Sequence, residues 1–477
     1  MLFLLAILIP VVGALFAFRI EDGEKRRKIT VTTVLAALIS SVFAGRFGGE
    51  LTLLRLNDSL ALRFAGDNLG LFFAGLVGFI WFFVEFHAFG YMKHEGKENQ
   101  FFGFFLLTYG AMLGLAFAKN AVTLYMFFEL MTLCSMPLVL HNGSETSRRA
   151  SFIYLGYSTL GVSLALLGFF LLAGQGNELE FSAHGGKLIG DEKTLLAAAF
   201  LIVLGFGAKA GMVPLQMWLT EAHPVAPSPA SAVLSGLITK CGVLAIIRCT
   251  FQLFGRELLR GTWVQTAVML LAVITIFTGS MLALREKLLK KRMAYSTISN
   301  VSYVLFGLFT FESMGIAGAF LQIIFHALAK NALFLCAGSI IFATGKTRVD
   351  ELKGIGRQMP VTMWCFAIAS LSLIGIPPMG GFFAKYCLAM GALEEGSALA
   401  TLGVVVLMVS ALLTAFYLLP IVSTAFFPGR DFEAGEKCEV EKKMLVPPIV
   451  FSGLTVILGM FPLLLWANAL LIESGLL

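Results

Sequence analysis

The sequence predicts an all-α polytopic membrane protein of about fourteen transmembrane helices. Three observations predict it. Of the 477 residues, 58% are hydrophobic and 13% charged, with a mean hydropathy of +0.87, whereas a soluble domain carries about a quarter charged residues. The apolar residues gather into runs of about 20, the length that crosses a bilayer as a helix, and the links between runs are too short for a soluble catalytic domain. Two of the runs are interrupted by glycine and proline, at GMVP (211–214) and GIPP (375–378).

In chain order the spans begin near Leu2, Ile29, Leu69, Phe101, Ala121, Ser151, Leu195, Pro227, Trp263, Ser296, Gly315, Val361, Leu402 and Leu445. The first has no basic segment before it and is followed by Lys25, Arg26, Arg27 and Lys28, so it reads as a retained helix whose N-terminus lies outside. Loops after odd-numbered spans carry 22 Lys and Arg, and loops after even-numbered spans carry eight. Positive charge stays on the cytoplasmic side, so both termini are expected on the outer face of a plasma or inner membrane. The net charge of +6 is thereby a topology signal, and with no basic run interleaved with stacking aromatics a nucleic-acid partner has no support. The seven cysteines show no metal-ligand spacing and lie mostly inside apolar runs, so neither zinc nor an iron-sulfur cluster is expected.

Chemistry concentrates in a few costly positions. Glu85 and His87 lie near one end of the third span and read as a helix end reaching the interface. Glu129, in the fifth, has about eight mostly apolar residues on either side and cannot reach water, so it asks for a cationic partner; Lys209 in the seventh span is the candidate. The seventh span breaks at Gly211–Pro214, freeing a backbone carbonyl that lipid cannot satisfy, and closes at His223 with the prolines at 224, 227 and 229. Lys240 stands mid-way along the eighth. Ser296, Thr297, Ser299 and Asn300 give the tenth a polar opening suited to water. In the eleventh, His326 and Lys330 are four residues apart and share a helix face, the arrangement of a proton path. The twelfth breaks at Pro377 and Pro378, and Lys385 follows.

Two broken helices five spans apart are the pattern of inverted repeats whose discontinuous helices mark an ion site. The expected units are residues 1–100 (three N-terminal helices), 101–255 (first repeat, helices four to eight), 256–428 (second repeat, helices nine to thirteen) and 429–477 (the last helix).

The motifs FELMTLCS, GAKAGMVPLQMWLTEAHPVAPSPASAVLSGLITKCG, KRMAYSTISNVSY, FHALAKNALFL and GIPPMGGFFAK resemble those of the antiporter-like subunits of respiratory complex I, multi-subunit sodium/proton antiporters and energy-converting membrane-bound hydrogenases. The resemblance covers roughly spans four to thirteen. It implies that Glu129 and Lys209 form a charged pair, that Lys240 relays to the second half, and that His326, Lys330 and Lys385 continue the path, with His223 an additional candidate. Where that family usually has HxWLP this chain has QMWLT, so Gln216 replaces a titrating histidine and Thr220 a proline. The sequence ends in GLL after the fourteenth span with no long lateral helix, which favours the D-type antiporter subunit and its hydrogenase relatives.

The resemblance implies a subunit that moves H+, with Na+/H+ exchange as a companion activity, inside a complex of other antiporter-like and small hydrophobic membrane subunits. An iron-sulfur redox arm is among the expected partners. No cofactor, metal or redox chemistry of its own is expected. The alternatives are a subunit of a stand-alone sodium/proton antiporter and, from a different class, a haem- or quinone-binding redox subunit, which would need paired intramembrane histidines.

Overall fold

The computed structural model describes residues 1–55, 61–183, 185–429 and 435–461, together with 467, 468, 471 and 472. Arg430 of the last basic loop and the closing Gly475–Leu477 lie outside the described residues. The chain opens with α1 (Leu2–Arg19) and α2 (Gly23–Phe47), then a hairpin of β1 (Glu50–Arg55) and β2 (Ala61–Ala65), then α3 (Asn68–Glu95), α4 (Glu98–Ala116), α5 (Ala121–Leu140) and α6 (Glu145–Gly174). Short polar side chains start these helices by accepting from first-turn amides: Asp67 from Gly70 at 2.7 Å, Asn120 from Thr123 at 2.9 Å, Ser144 from Ser147 at 3.2 Å. The antiparallel hairpin, which the polar link after the second span did not announce, pairs Glu50 with Ala65.

The seventh span is α7 (Glu192–Ala210), a break, and α8 (Met217–Val225). Gly211 takes φ +82, the left-handed conformation that ends a helix. The eighth span, Ser228–Phe254, changes pitch along its length. Its first turns, α9 (Ser228–Val233), give way to a π-turn at Leu234–Ile238, then to α10 (Thr239–Ile247), then to a second π-turn at Arg248–Phe254. After a short α11 (Arg256–Leu259) come α12 (Trp263–Arg285), α13 (Leu289–Leu308) and the long α14 (Ser313–Thr344). A short α15 (Ile355–Gln358) leads to the second broken span, α16 (Pro360–Ile374) and α17 (Gly380–Glu395), and α18 (Ala398–Phe426) and α19 (Lys442–Ile457) close the described chain.

Among the described residues, twelve helices are long and apolar enough to cross a membrane, against the fourteen spans expected. The two remaining places are held by α13, long enough at 20 residues but polar from Lys290 to Asn300, and by α16 and α17, each shortened by the break between them.

Position in the bundle sorts the helices. The Ser228–Phe254 span is 100% buried and α14 94%, whereas α1, α6 and α18 are 39% buried. The interior of the protein is therefore built from the eighth and eleventh spans, the two that carry Lys240, His326 and Lys330, with the largely buried α13. Lipid supplies no hydrophobic push between helices, so close backbone approach decides packing. On α6, Tyr154, Ser158, Gly161, Ala165 and Gly168 share one face, and a Cβ on Gly161 would lie 2.6 Å from the Gly205 carbonyl oxygen. That stripe lets α6 lie directly on α7 and brings the Tyr154 and Ser158 hydroxyls to Lys209.

Glu85 and His87 correct the interfacial expectation: both are fully buried. The face of α3 that holds His87 packs on α14, where Nε2 lies 3.1 Å from both the Leu335 carbonyl and the Ser339 hydroxyl.

Candidate functional site

Among the described residues five lysines are buried; Lys290 lies at the start of α13, and the other four stand farther inside the bundle, where an unpaired ammonium costs many kcal/mol unless it is fully hydrogen-bonded. Lys209, Lys240, Lys330 and Lys385 are 1%, 1%, 0% and 7% exposed. Each is held by neutral acceptors.

Lys209, at the last turn of α7, donates to the Tyr154 and Ser158 hydroxyls, both at 2.9 Å, and its Nζ lies 4.2 Å from the Tyr154 ring centre and 5.4 Å from that of Trp218. Tyr154 meets the Ser135 hydroxyl at 2.6 Å, and Ser135 donates to the Met131 carbonyl at 2.7 Å. A chain of hydroxyls thus joins Lys209 to α5, the helix of Glu129. Glu129 is half-buried on that helix. The two charges are near enough to act on each other, but among the described residues no ion pair within 4.0 Å joins them. The hydroxyl chain reaches the α5 backbone at the Met131 carbonyl, two residues from Glu129, and not its carboxylate.

Lys240 lies just after the first π-turn. A π-turn displaces backbone groups from the regular ladder and is common at functional positions. Lys240 donates to the Ser235 carbonyl at 2.9 Å and meets His326 Nδ1 at 2.5 Å. With Nδ1 accepting, the His326 proton belongs on Nε2, which is buried and has no hydrogen-bond partner among the described residues. Gly236 makes this turn possible, since a Cβ there would collide with the Asn331 amide.

From Lys240 the contacts step at Ser235 from its carbonyl, which accepts from the lysine, to its hydroxyl. The Ser235 hydroxyl meets that of Thr297 at 2.6 Å, Thr297 donates to the Met293 carbonyl at 2.9 Å, and the same carbonyl accepts from Lys330 at 3.0 Å. Farther along α13, Gln322 donates to Asn300 at 3.1 Å. Lys385 ends the series: it donates to the Leu373 and Ile374 carbonyls at 2.7 and 2.8 Å, the last carbonyls of α16 before the break. Its Nζ lies 5.3 Å from the Tyr303 ring, whose hydroxyl meets Ser410 at 2.5 Å.

His223 stands apart from this chain of bonds. It is fully buried, stacked on Phe334 with ring centres 4.7 Å apart, and among the described residues neither ring nitrogen has a hydrogen-bond partner. The charges of Lys290 and Lys330 both reach it. Lys290 donates to the Ala226 carbonyl at 2.6 Å and lines a cavity of ≈ 380 Å³ with Glu95, Pro224 and Thr347. Gln216 is half-buried, and its Oε1 has no hydrogen-bond partner among the described residues.

The structure thus links Lys240, His326 and Lys330 in one hydrogen-bonded group. Lys209 and Lys385 sit at the two helix breaks, and His223 and Glu129 lie at the margins. Sequence reasoning missed Tyr154, Ser158, Ser135 and Tyr303, ordinary polar side chains in apolar helices. It also missed the carbonyls of Ser235, Met293, Leu373 and Ile374. Of these only the carbonyls beside a glycine-proline break had a visible signal.

A family profile described as NADH:quinone oxidoreductase/Mrp antiporter, TM matches residues 118–414, a stretch containing all seven candidate residues. The N subunit of the NADH-quinone oxidoreductase of Desulforudis audaxviator is 33% identical over 382 residues, 76% of this chain and 75% of that protein. The D subunit of the Na(+)/H(+) antiporter of Alkalihalophilus pseudofirmus is 29% identical over 473 residues, 96% of this chain and 93% of its own length. In fold, a chain of the archaeal membrane-bound sulfane sulfur reductase superposes with a TM-score of 0.87 at 21% identity, covering 99% of this chain and 96% of that one. The match of the profile to more than half of the sequence, together with these relatives, shows that the chain belongs to the NADH:quinone oxidoreductase/Mrp antiporter family of multi-span membrane subunits.

Proposed function

We propose that this chain translocates protons, with sodium exchange as a companion activity, as one subunit of a larger membrane complex. The observation that carries the reading is the buried group Lys240–His326 with its link through Ser235, Thr297 and the Met293 carbonyl to Lys330. Lysines held by hydroxyls, carbonyls and an imidazole have no carboxylate partner to leave stranded, so a proton can depart without creating a buried unpaired anion. Transfer from Lys240 to His326 Nδ1 would make an imidazolium one helical turn from Lys330. Neighbouring sites coupled in this way titrate as a set, so a charge change at Lys209 and Glu129 is passed to Lys240, then to Lys330 and Lys385.

The same reading assigns residues 101–255 and 256–428 as two inverted units, each with one broken helix and a lysine beside the break. Residues 1–100 and 429–477 flank them. In this reading both termini lie on the outer face of a plasma or inner membrane, which the distribution of basic loops supports.

The test is Lys240→Gln in the assembled native complex. Proton uptake into inverted vesicles is expected to fall by about 100-fold, the scale on which a positioned proton-transfer group acts. Wild-type uptake by an assembled complex would overturn the relay.

What drives the path divides two readings. The near end-to-end alignment with the D subunit of a Na(+)/H(+) antiporter favours an antiporter powered by an existing gradient. The higher identity to an NADH-quinone oxidoreductase subunit favours the pumping arm of a redox complex. Gentle purification from the native membrane separates them: small hydrophobic subunits alone support the first, and co-purifying iron-sulfur proteins support the second.

A further inference from the structure

Away from the lysine series, a cavity of ≈ 370 Å³ opens between α4, α5 and the start of α6. Its rim is basic, with Lys97 and Arg148, and its wall is apolar, with Phe104, Pro137 and Leu140. His141 closes one side, its Nε2 held 3.0 Å from the Gly96 carbonyl. No carboxylate is among the described residues that line it, and the nearby Glu98 is occupied by Arg26 at 2.6 Å. Glu95 acts on His141 from outside the cavity, so among the described residues the basic rim is lined by no anion.

Lys97 is built to face this space. Among the described residues it is one of two non-glycine residues with positive φ, at +48, a conformation that costs about 1 kcal/mol or more. In it, the Lys97 Nζ lies 3.9 Å from where a Cβ on Gly143 would be, an ordinary contact that places the ammonium beside this turn, whose glycine is required by its φ of +70.

The apolar wall continues outward along one face of α5. Leu140, Pro137, Leu133 and Leu130 follow at intervals of three or four residues, which aligns them on the helix. Leu133 is 54% exposed and Leu130 44%. Two cations at a helix end above an apolar track that runs toward the bilayer centre match an amphiphile with a phosphate and an acyl chain, the chemistry that basic pockets between transmembrane helices select.

We propose that this cavity is a binding site for one anionic phospholipid. Its phosphate sits between Lys97 and Arg148, and one acyl chain lies along Leu140, Pro137, Leu133 and Leu130. An inorganic phosphate would use the rim and leave the apolar track without a role. The site stands whichever ion the lysine series carries, since none of its residues belongs to that series.

The test uses the complete complex purified from its own membrane, stripped of lipid and re-exposed to phosphatidylglycerol or phosphatidylcholine, with bound lipid counted by native mass spectrometry. The wild type is expected to retain one phosphatidylglycerol in preference to phosphatidylcholine. Lys97→Gln with Arg148→Gln is expected to lower that retention by about 25-fold, roughly fivefold per cation. Lys287→Gln, an exposed lysine elsewhere on the molecule, is expected to leave retention unchanged, and the conservative pair Lys97→Arg with Arg148→Lys is expected to keep most of it. Equal retention by the Gln pair overturns the site. An equal drop in Lys287→Gln would reduce the effect to general surface charge, and full displacement by millimolar inorganic phosphate would make it a free-phosphate site; either result also overturns the lipid assignment.

Discussion

The two broken helices use their lysines in opposite ways. At the first break, the structure is held without the lysine: the Trp218 indole donates to the Ala208 carbonyl at 2.8 Å, and the Val213 amide donates to Thr275 at 3.1 Å. Lys209 turns away, to hydroxyls on α6. At the second break no other side chain among the described residues takes Trp218's part, and Lys385 itself satisfies the Leu373 and Ile374 carbonyls. In a membrane, an unsatisfied carbonyl costs several kcal/mol. The first lysine is free to change its bonds, while the second is part of the helix end, so that charge and backbone conformation are tied together at Lys385 and separated at Lys209.

The largest expected effect is at Lys385. Lys385→Met should abolish transport and also destabilise the protein by about 3 kcal/mol, because two buried carbonyls lose their donor; thermal unfolding in detergent reads the second part. If the melting temperature does not move, the difference between the breaks is wrong.

Lys209→Met sharpens the other side. Transport should fall by about 100-fold, yet stability should change little, since the break keeps its Trp218 and Thr275 bonds. Flux and melting measured on the same preparation check both halves, and a loss of stability equal to that of Lys385→Met would erase the contrast.

Trp218→Phe should make the first break resemble the second. Removing the indole N–H takes one of the two donors to the Ala208 carbonyl and leaves it the Gly211 amide at 3.1 Å, a cost of about 1 kcal/mol, readable as a lowered melting temperature. Restoration of most of the loss by Trp218→His, which can still donate, would tie it to that bond.

The smallest effect belongs to a region outside both breaks. Arg248 on the eighth span donates to Asp67 at 2.7 Å and 3.0 Å, to Gln252 at 2.7 Å and to the Ala116 carbonyl at 2.6 Å. Burial pushes the Asp67 carboxyl up, but the Arg248 guanidinium and the Gly70 amide outweigh it and leave it below the usual carboxylate range. A carboxylate lowered on folding contributes stability above its unfolded pKa and loses it as the pH falls through the folded one. Because Asp67 is 32% exposed, Asp67→Asn should cost only about 1 kcal/mol at neutral pH. The gap in melting temperature between variant and wild type should close as the pH is lowered below the carboxylate range, and a gap constant with pH would remove Asp67 from the account.

Much of this architecture was legible because membranes penalise the features that carry it. Lys209, Lys240, Lys330 and Lys385 stood out since no apolar helix tolerates them idly, and Gly211–Pro214 and Gly375–Pro378 marked the breaks since lipid leaves a freed carbonyl nowhere to go. The partners were illegible for the same physical reason in reverse. Tyr154 and Ser135 cost little in a helix, so nothing in the sequence set them apart from other polar residues. The π-turn at Leu234–Ile238 has no residue signature, and without it the meeting of Lys240 and His326 was not foreseeable. Glu85 and His87 misled because distance along α3 suggested a helix end, whereas the packing of α14, α19 and α2 around α3 encloses them. Glu129 and Lys209 were paired on charge alone, and the hydroxyl chain between α5 and α6 was invisible.

That π-turn also sets an angular register. An α-helix advances 100° and 1.5 Å per residue, so relaxing the turn to regular pitch would swing everything after Ile238 by about one residue's worth of rotation relative to α9. Lys240 would then point away from His326, and Asn331 would lose the space above Gly236. The pitch of five residues in a single helix therefore decides which neighbour Lys240 faces, and here it faces His326 on α14.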